Sequence, residues 1–157
     1  MIRKEISYGI VPLRIMNGQK EILLAKTWRH SYFCIPKGHM ERSDRAPIEA
    51  AMRELMEETG HYPTMFWSDK GWTADYMNAS PIEPVEYHFR TRMGRSVEKS
   101  VVLFIAEVAK QTEIQDKEDI ELIQWFPINE DTINLLHFRE NIEHFLQYIL
   151  PKINPNF

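Results

Sequence analysis

The sequence predicts an α/β fold of the α+β kind. It would be a sandwich around a mixed β-sheet, with an internal helix at about 47–59 and a C-terminal helix at about 139–150. Three observations carry this expectation. Strand-length runs of β-branched and aromatic residues lie on both sides of a single internal helical stretch. A strong two-residue turn, Asn17-Gly18, separates the first two runs. Near the end, Ile142, Phe145, Leu146 and Ile149 recur at helical spacing.

Taken in order, Ile6 to Ile15 is rich in β-branched residues and predicts a strand, and Glu21 to Ala25 completes a hairpin with it. Tyr32 to Ile35 is a short strand stopped by Pro36. Residues 36–47 hold Pro36, Gly38, Ser43, Asp44 and Pro47, so a loop is expected there. Pro47 suits the first turn of a helix, and Gly60 suits its C-terminal stop. From Tyr62 to Glu86 three prolines and two tryptophans predict strands broken by a long loop. Val85 to Arg90 and Glu98 to Val108 form paired strands, joined through Arg92 to Arg95, and Leu122 to Phe126 is a further strand ended by Pro127. The chain shows no repeats or low-complexity tract, so one domain over residues 1–157 is expected.

Composition narrows the function classes. A 43% hydrophobic content is too high for a disordered chain. The 19 basic and 23 acidic residues leave a net charge of −4, which disfavours a stable complex with nucleic acid. Cys34 is the only cysteine, the N-terminus has no apolar signal region, and no run approaches the roughly 20 apolar residues of a membrane span. A cytoplasmic protein with no membrane partner, monomeric or homodimeric, is the expectation.

The chemistry concentrates in residues 38–60. With Glu54 placed at 0° on a helix, Glu57 falls near about 300° and Glu58 near about 40°, so three carboxylates share one face. Ile48, Met52 and Leu55 form an adjacent apolar face. Like charges so close repel, and a bound cation reverses the sign of that interaction. Hard oxygen ligands suit Mg²⁺, or Mn²⁺ as a second possibility. Without a metal, the same three residues would be a solvated helix face. Arg53, beside Glu57, is placed to pair with a carboxylate of the preceding loop.

Gly38 and the run Arg53-Glu54-Leu55-Met56-Glu57-Glu58-Thr59-Gly60 resemble the Nudix box. The resemblance implies a Nudix-type α/β/α sandwich in which the 47–59 helix is catalytic. It implies hydrolysis of a nucleoside diphosphate linked to another group, with Glu54, Glu57, Glu58 and the Gly38 carbonyl as metal ligands. Glu54, Glu57 and Arg53 would form the catalytic set. The general base would be Glu54, Glu57, or an acid of the loop Glu118-Asp119-Ile120-Glu121. Asp44 stands where the box has its first Glu, the Asp44-to-Arg53 gap is one residue longer than the pattern, and His61 takes the final aliphatic position.

Pro36-Lys37-Gly38-His39 and the strand Glu98 to Val108 look similar to the diadenosine tetraphosphate hydrolase branch of that family. By that likeness the substrate is a dinucleoside polyphosphate, with Lys37 and His39 meeting phosphate. Lys99 either reaches a phosphate or is an exposed strand lysine. Tyr87, Phe89 and Phe138 are the rings that could stack on a base, or else pack in the core. Phe33 and Leu103 occupy positions where the branch often has Trp and Tyr. Removal of pyrophosphate from RNA 5′ ends, hydrolysis of a nucleoside triphosphate, or nucleotide sensing without catalysis are the alternatives.

Overall fold

The computed structural model describes residues 2–153. Its eight strands form one sheet: β1 (Arg3–Met16), β2 (Gln19–Thr27), β3 (Phe33–Cys34), β4 (Lys37–Gly38), β5 (His61–Phe66), β6 (Val85–Arg90), β7 (Ser96–Lys110) and β8 (Ile120–Pro127). The path runs β3-β2-β1-β7-β5, with β8 on β2, β4 on β1 and β6 on β7. Only β1 and β7 pair in parallel, and every other pairing is antiparallel, so the sheet is mixed as expected.

The β1–β2 hairpin closes through Asn17 (φ 53°) and Gly18 (φ 77°), both in the left-handed region that a tight two-residue hairpin turn requires. Alternation along the strands then divides the core in two. Val11, Leu13, Leu103 and Ile105 face one side, where Phe145, Ile149, Leu150 and Ile153 cover them. Ile10, Phe104, Ala106 and Val108 face the other, against Ile48, Ala51 and Leu55 of helix α1 (Pro47–Thr59). The expected sandwich, with a helix on each face, is therefore present.

Helix α1 has the predicted bounds for the predicted reasons. Pro47 sits in the first turn, and Gly60 (φ 70°) returns its N–H to the Met56 carbonyl at 2.9 Å. The Gly60 carbonyl accepts from Gln111 and Thr112, and the Glu57 carbonyl accepts from Gln115 and Asp116. The loop after β7 is thereby fastened to the end of α1 that carries the carboxylates.

Two segments carry detail beyond the expectation. The expected C-terminal helix runs unbroken over 139–153 as α3 (Arg139–His144), a π-helical turn (Phe145–Ile149) and α4 (Leu150–Ile153), and the short α2 (Glu130–Ile133) precedes it. Pro151 explains the widened turn, because it has no N–H for the Gln147 carbonyl and its ring would clash with that carbonyl in a regular helix. In the 62–86 segment the expected strands are β5 and the start of β6, and the long loop between them is held to the sheet. After β5, Thr73 bridges back to Phe66, Tyr76–Asn78 form a 3₁₀ turn, and the N–H groups of Trp67 and Ile82 bond the carbonyls of Ile105 and Leu103 on β7. Among the described residues no helix is long and apolar enough to cross a membrane.

Candidate active site

The carboxylate face of α1 meets the β3–β4 corner. Gly38 makes this approach possible, since a Cβ there would stand 2.2 Å from the Glu54 carboxyl carbon. Gly9, on the neighbouring β1, gives the corner room in the same way, because its Cβ would lie 2.4 Å from the Pro36 carbonyl oxygen. The backbone of the Lys37-Gly38 pair is thus pressed between β1 and α1.

Arg53 organises the helix face. Its Nε and Nη2 reach Asp44 at 3.2 and 3.0 Å, Nη2 also donates to the His39 carbonyl at 2.8 Å, and Nη1 spans Glu54 and Glu57 at 3.0 and 3.2 Å. Glu41 approaches Nη1 at 3.4 Å. Asp44, with 5% of its side chain exposed, is held below the usual carboxylate range chiefly by its hydrogen bonds from Arg53. The expected loop-to-helix pairing therefore forms despite the shorter aspartate arm and the extra loop residue.

The three glutamates differ in environment. Glu57 is the most open, with 36% of its side chain exposed against 16% for Glu54. Burial raises Glu54 above the ordinary carboxylate range, against the pull of Arg53. Glu58 is pushed up to about 8, first by burial and then by the nearby Glu54 charge. Its Oε2 is buried and has no hydrogen-bond partner. A buried, unpartnered carboxylate oxygen is costly unless something pairs with it. Among the described residues no three acids, imidazoles or thiols already stand as a closed metal cage. The donor set nevertheless fits a hard divalent cation. It offers one orphaned carboxylate oxygen and two further carboxylates that already share one positive charge, that of Arg53.

Cationic side chains face these acids. Lys37 lies close enough to lower the pKa of Glu58 and to depress that of Lys99, which burial lowers first. Cys34 borders Lys37, Glu58 and Lys99, but burial raises its thiol, which argues against a nucleophile. The His39 side chain is exposed. Tyr87 lies opposite Lys99 in the β6–β7 ladder, and its ring stands 5.8 Å from that of Phe138. Phe138 borders a cleft of about 690 Å³ together with Tyr32, Leu135 and His137.

The structure thus brings together Lys37, Gly38, Glu54, Glu57, Glu58 and Lys99, while Tyr87 packs against the core opposite Lys99 and Phe138 lines the cleft beside Tyr32 and His137. It does not bring in Phe89. That ring is 47% exposed and borders a different surface pocket with Ile2 and Arg90, and among the described residues no ring pairing includes it. Glu121 is held by Lys26 at 2.6 Å, whereas Asp116 donates its N–H to the Glu57 carbonyl and feels the Glu57 charge. Asp116 was not legible in the sequence because only the Gly60 and Glu57 carbonyls tie its loop to α1. Tyr32, whose ring stacks on His137 at 4.0 Å, was missed for the same non-local reason. His61, at the box's final aliphatic position, is buried against Trp125.

Comparison with known proteins follows the same lines. The chain's fold is similar to a complex of the NUDIX domain of Shewanella oneidensis NrtR with ADP ribose (TM-score 0.61, 18% identity, covering 84% of this chain and 77% of that one). It is also similar to a C. elegans Ap4A hydrolase binary complex (TM-score 0.59, 20% identity, 90% and 95% covered). A third similar structure is a MutT NUDIX hydrolase from Burkholderia pseudomallei (TM-score 0.53, 18% identity, 90% and 97% covered). At these identities the likeness concerns the fold alone. No curated protein matches the chain by sequence. The profile of the NUDIX domain family matches residues 7–149, and with the box helix, the mixed sheet and the sandwich in place, this chain belongs to the NUDIX family, whose members hydrolyse pyrophosphate bonds in nucleoside polyphosphate-type substrates.

Proposed function

We propose that this protein hydrolyses a dinucleoside polyphosphate, and specifically diadenosine tetraphosphate, to ATP and AMP. The observation that carries the reading is the meeting of an orphaned acid with phosphate-binding cations. Glu58 has an unpartnered oxygen and feels the Lys37 charge, Lys37 in turn stands near Lys99, and Tyr87, paired with Phe138, lies opposite Lys99 in the sheet. A tetraphosphate flanked by adenines needs such a sequence of groups: acids for the cation, lysines for the phosphates, rings for a base.

Glu54, Glu57, Glu58 and the Gly38 carbonyl would hold Mg²⁺, or Mn²⁺ in its place. The bound cation would neutralise phosphate charge and lower the pKa of the attacking water. Glu57, the most solvent-open of the three, would take the proton from the attacking water as the water oxygen bonds to phosphorus. The anhydride P–O bond opposite breaks, and the electron pair leaves with the ATP phosphate. Arg53 holds Glu54 and Glu57 in register through Asp44. Lys37, His39 and Lys99 bind the polyphosphate, and Tyr87 and Phe138 flank an adenine. The similarity in fold to the C. elegans hydrolase supports this reading at the level of architecture.

Chromatographic product analysis with Mg²⁺, over dinucleoside polyphosphates, nucleoside triphosphates and triphosphorylated RNA, tests it. ATP and AMP in equal amounts from diadenosine tetraphosphate are expected. Turnover confined to triphosphates or RNA would replace this substrate with the alternative, and binding without turnover would point to a sensor.

A further inference from the structure

Tyr87 and Phe138 come from distant stretches of the chain, yet one side chain joins them. Asn141, in the first turn of α3, accepts a hydrogen bond from the Tyr87 hydroxyl through Oδ1. Its Nδ2 donates to the His137 carbonyl at 2.5 Å. That second bond braces the turn at Phe138, whose φ of 71° and ψ of 134° are a conformation L side chains adopt only under strain. Core packing does not explain the strain, because Phe138 is 53% exposed. Held strain at an exposed aromatic residue beside a cleft is the pattern of a binding position.

We propose that Asn141 is a positioning residue that fixes the separation and tilt of the Tyr87 and Phe138 rings for recognition of the substrate's nucleobase. The inference rests on the reading of this cleft as a nucleotide site. Its content is a division of labour: one amide sets the base-binding rings while the lysines and the α1 acids handle the phosphates. The rings stand 5.8 Å apart at 59° in this structure. Releasing Asn141 frees the phenol to rotate and lets the Phe138 turn relax, so the two faces lose their common geometry.

Kinetics of Asn141→Leu, Tyr87→Phe and the double variant test the proposal. Tyr87→Phe keeps the ring and loses only the hydroxyl anchor, so it guards against a folding defect. Each single change is expected to raise KM for diadenosine tetraphosphate about tenfold with kcat within about twofold, the scale of one lost stacking contact. The double variant should be no worse than either single one, because both cut the same link. Affinity for inorganic tripolyphosphate, which has no base, should not move. Phe138→Gly should melt no lower than the wild type while showing the same rise in KM. Multiplying effects, equal losses for ATP and tripolyphosphate, an unchanged KM, or a lower melting temperature for Phe138→Gly would each overturn the proposal. If no dinucleotide is turned over, the proposed reaction fails. Calorimetric binding of ATP against tripolyphosphate then still decides the role of Asn141: a loss confined to ATP supports it, and an equal loss or none refutes it.

Discussion

Replacing Glu58 by Gln should make the metal-free protein more stable at alkaline pH. The Glu58 carboxyl is pushed from the ordinary 4.5 up to about 8 in the fold, mainly by burial, and its Oε2 has no partner. A raised carboxyl keeps its proton in the native state after the unfolded chain has released it. The native state therefore binds more protons across that window, and stability falls as pH rises from about 4.5 to about 8. Below the window the two states are alike. The full gap would cost ~5 kcal/mol, and rotation of the side chain with entry of water relieves about half, leaving ~2 kcal/mol. For a chain of this size that is a melting shift of about 4–8 °C. Glutamine keeps the shape and removes the charge. Thermal denaturation followed by circular dichroism in a chelator should show Glu58→Gln melting above wild type by about that amount near about pH 9, and within ~1 kcal/mol of it near about pH 5. Mg²⁺ should then raise the wild-type melting temperature more than that of the variant. If Glu58→Gln melts below the wild type at alkaline pH, or the gap is the same at both pH values, Glu58 is not a strained buried charge and gives no reason to place a metal beside it.

Other substitutions follow from the same geometry. Gly38→Ala puts a methyl 2.2 Å from the Glu54 carboxyl carbon, so kcat should fall about a hundredfold, the scale of a misplaced catalytic group, while the far-ultraviolet spectrum stays native. Arg53→Lys cannot bridge Asp44, Glu54 and Glu57 together, so both melting temperature and kcat should drop, by ~2 kcal/mol in a denaturant titration. Lys99→Ala should raise KM for the tetraphosphate more than for a diphosphate-linked nucleotide, with the difference shrinking at high salt in steady-state assays. Gly60→Ala meets both a φ of 70° and a carbonyl oxygen at 2.1 Å from the added Cβ, so it should cost ~2–3 kcal/mol of stability by urea denaturation.

The sequence was most informative where structure is local. Pro47 and Gly60 bounded α1 because each acts through its own backbone, and Asn17-Gly18 set the hairpin for the same reason. The placement of Glu54, Glu57 and Glu58 on one face needed only helical geometry. Arg53 could be assigned a loop carboxylate because Asp44 lies only nine positions before it. What stayed hidden depends on long-range pairing. Asp116 reaches the site because the carbonyls at the end of α1 hold its loop, and no local signal marks that. Asn141 meets Tyr87 across 54 residues, through the packing of α3 on β6. Phe89 shares a strand face with Tyr87, so sequence spacing alone grouped the two, but its ring borders another pocket. The π-helical turn before Pro151 is a local effect that helical periodicity overrode, since Phe145 and Ile149 still fall on the buried side.

Hydrolysis of diadenosine tetraphosphate in ¹⁸O-labelled water, read by mass spectrometry of the products, tests most directly whether this carboxylate helix delivers water to phosphorus. One labelled oxygen in AMP and none in ATP, formed only with divalent cation and lost in Glu57→Gln, is the predicted result. Turnover that survives both the chelator and Glu57→Gln, or no label in any product, would contradict the account.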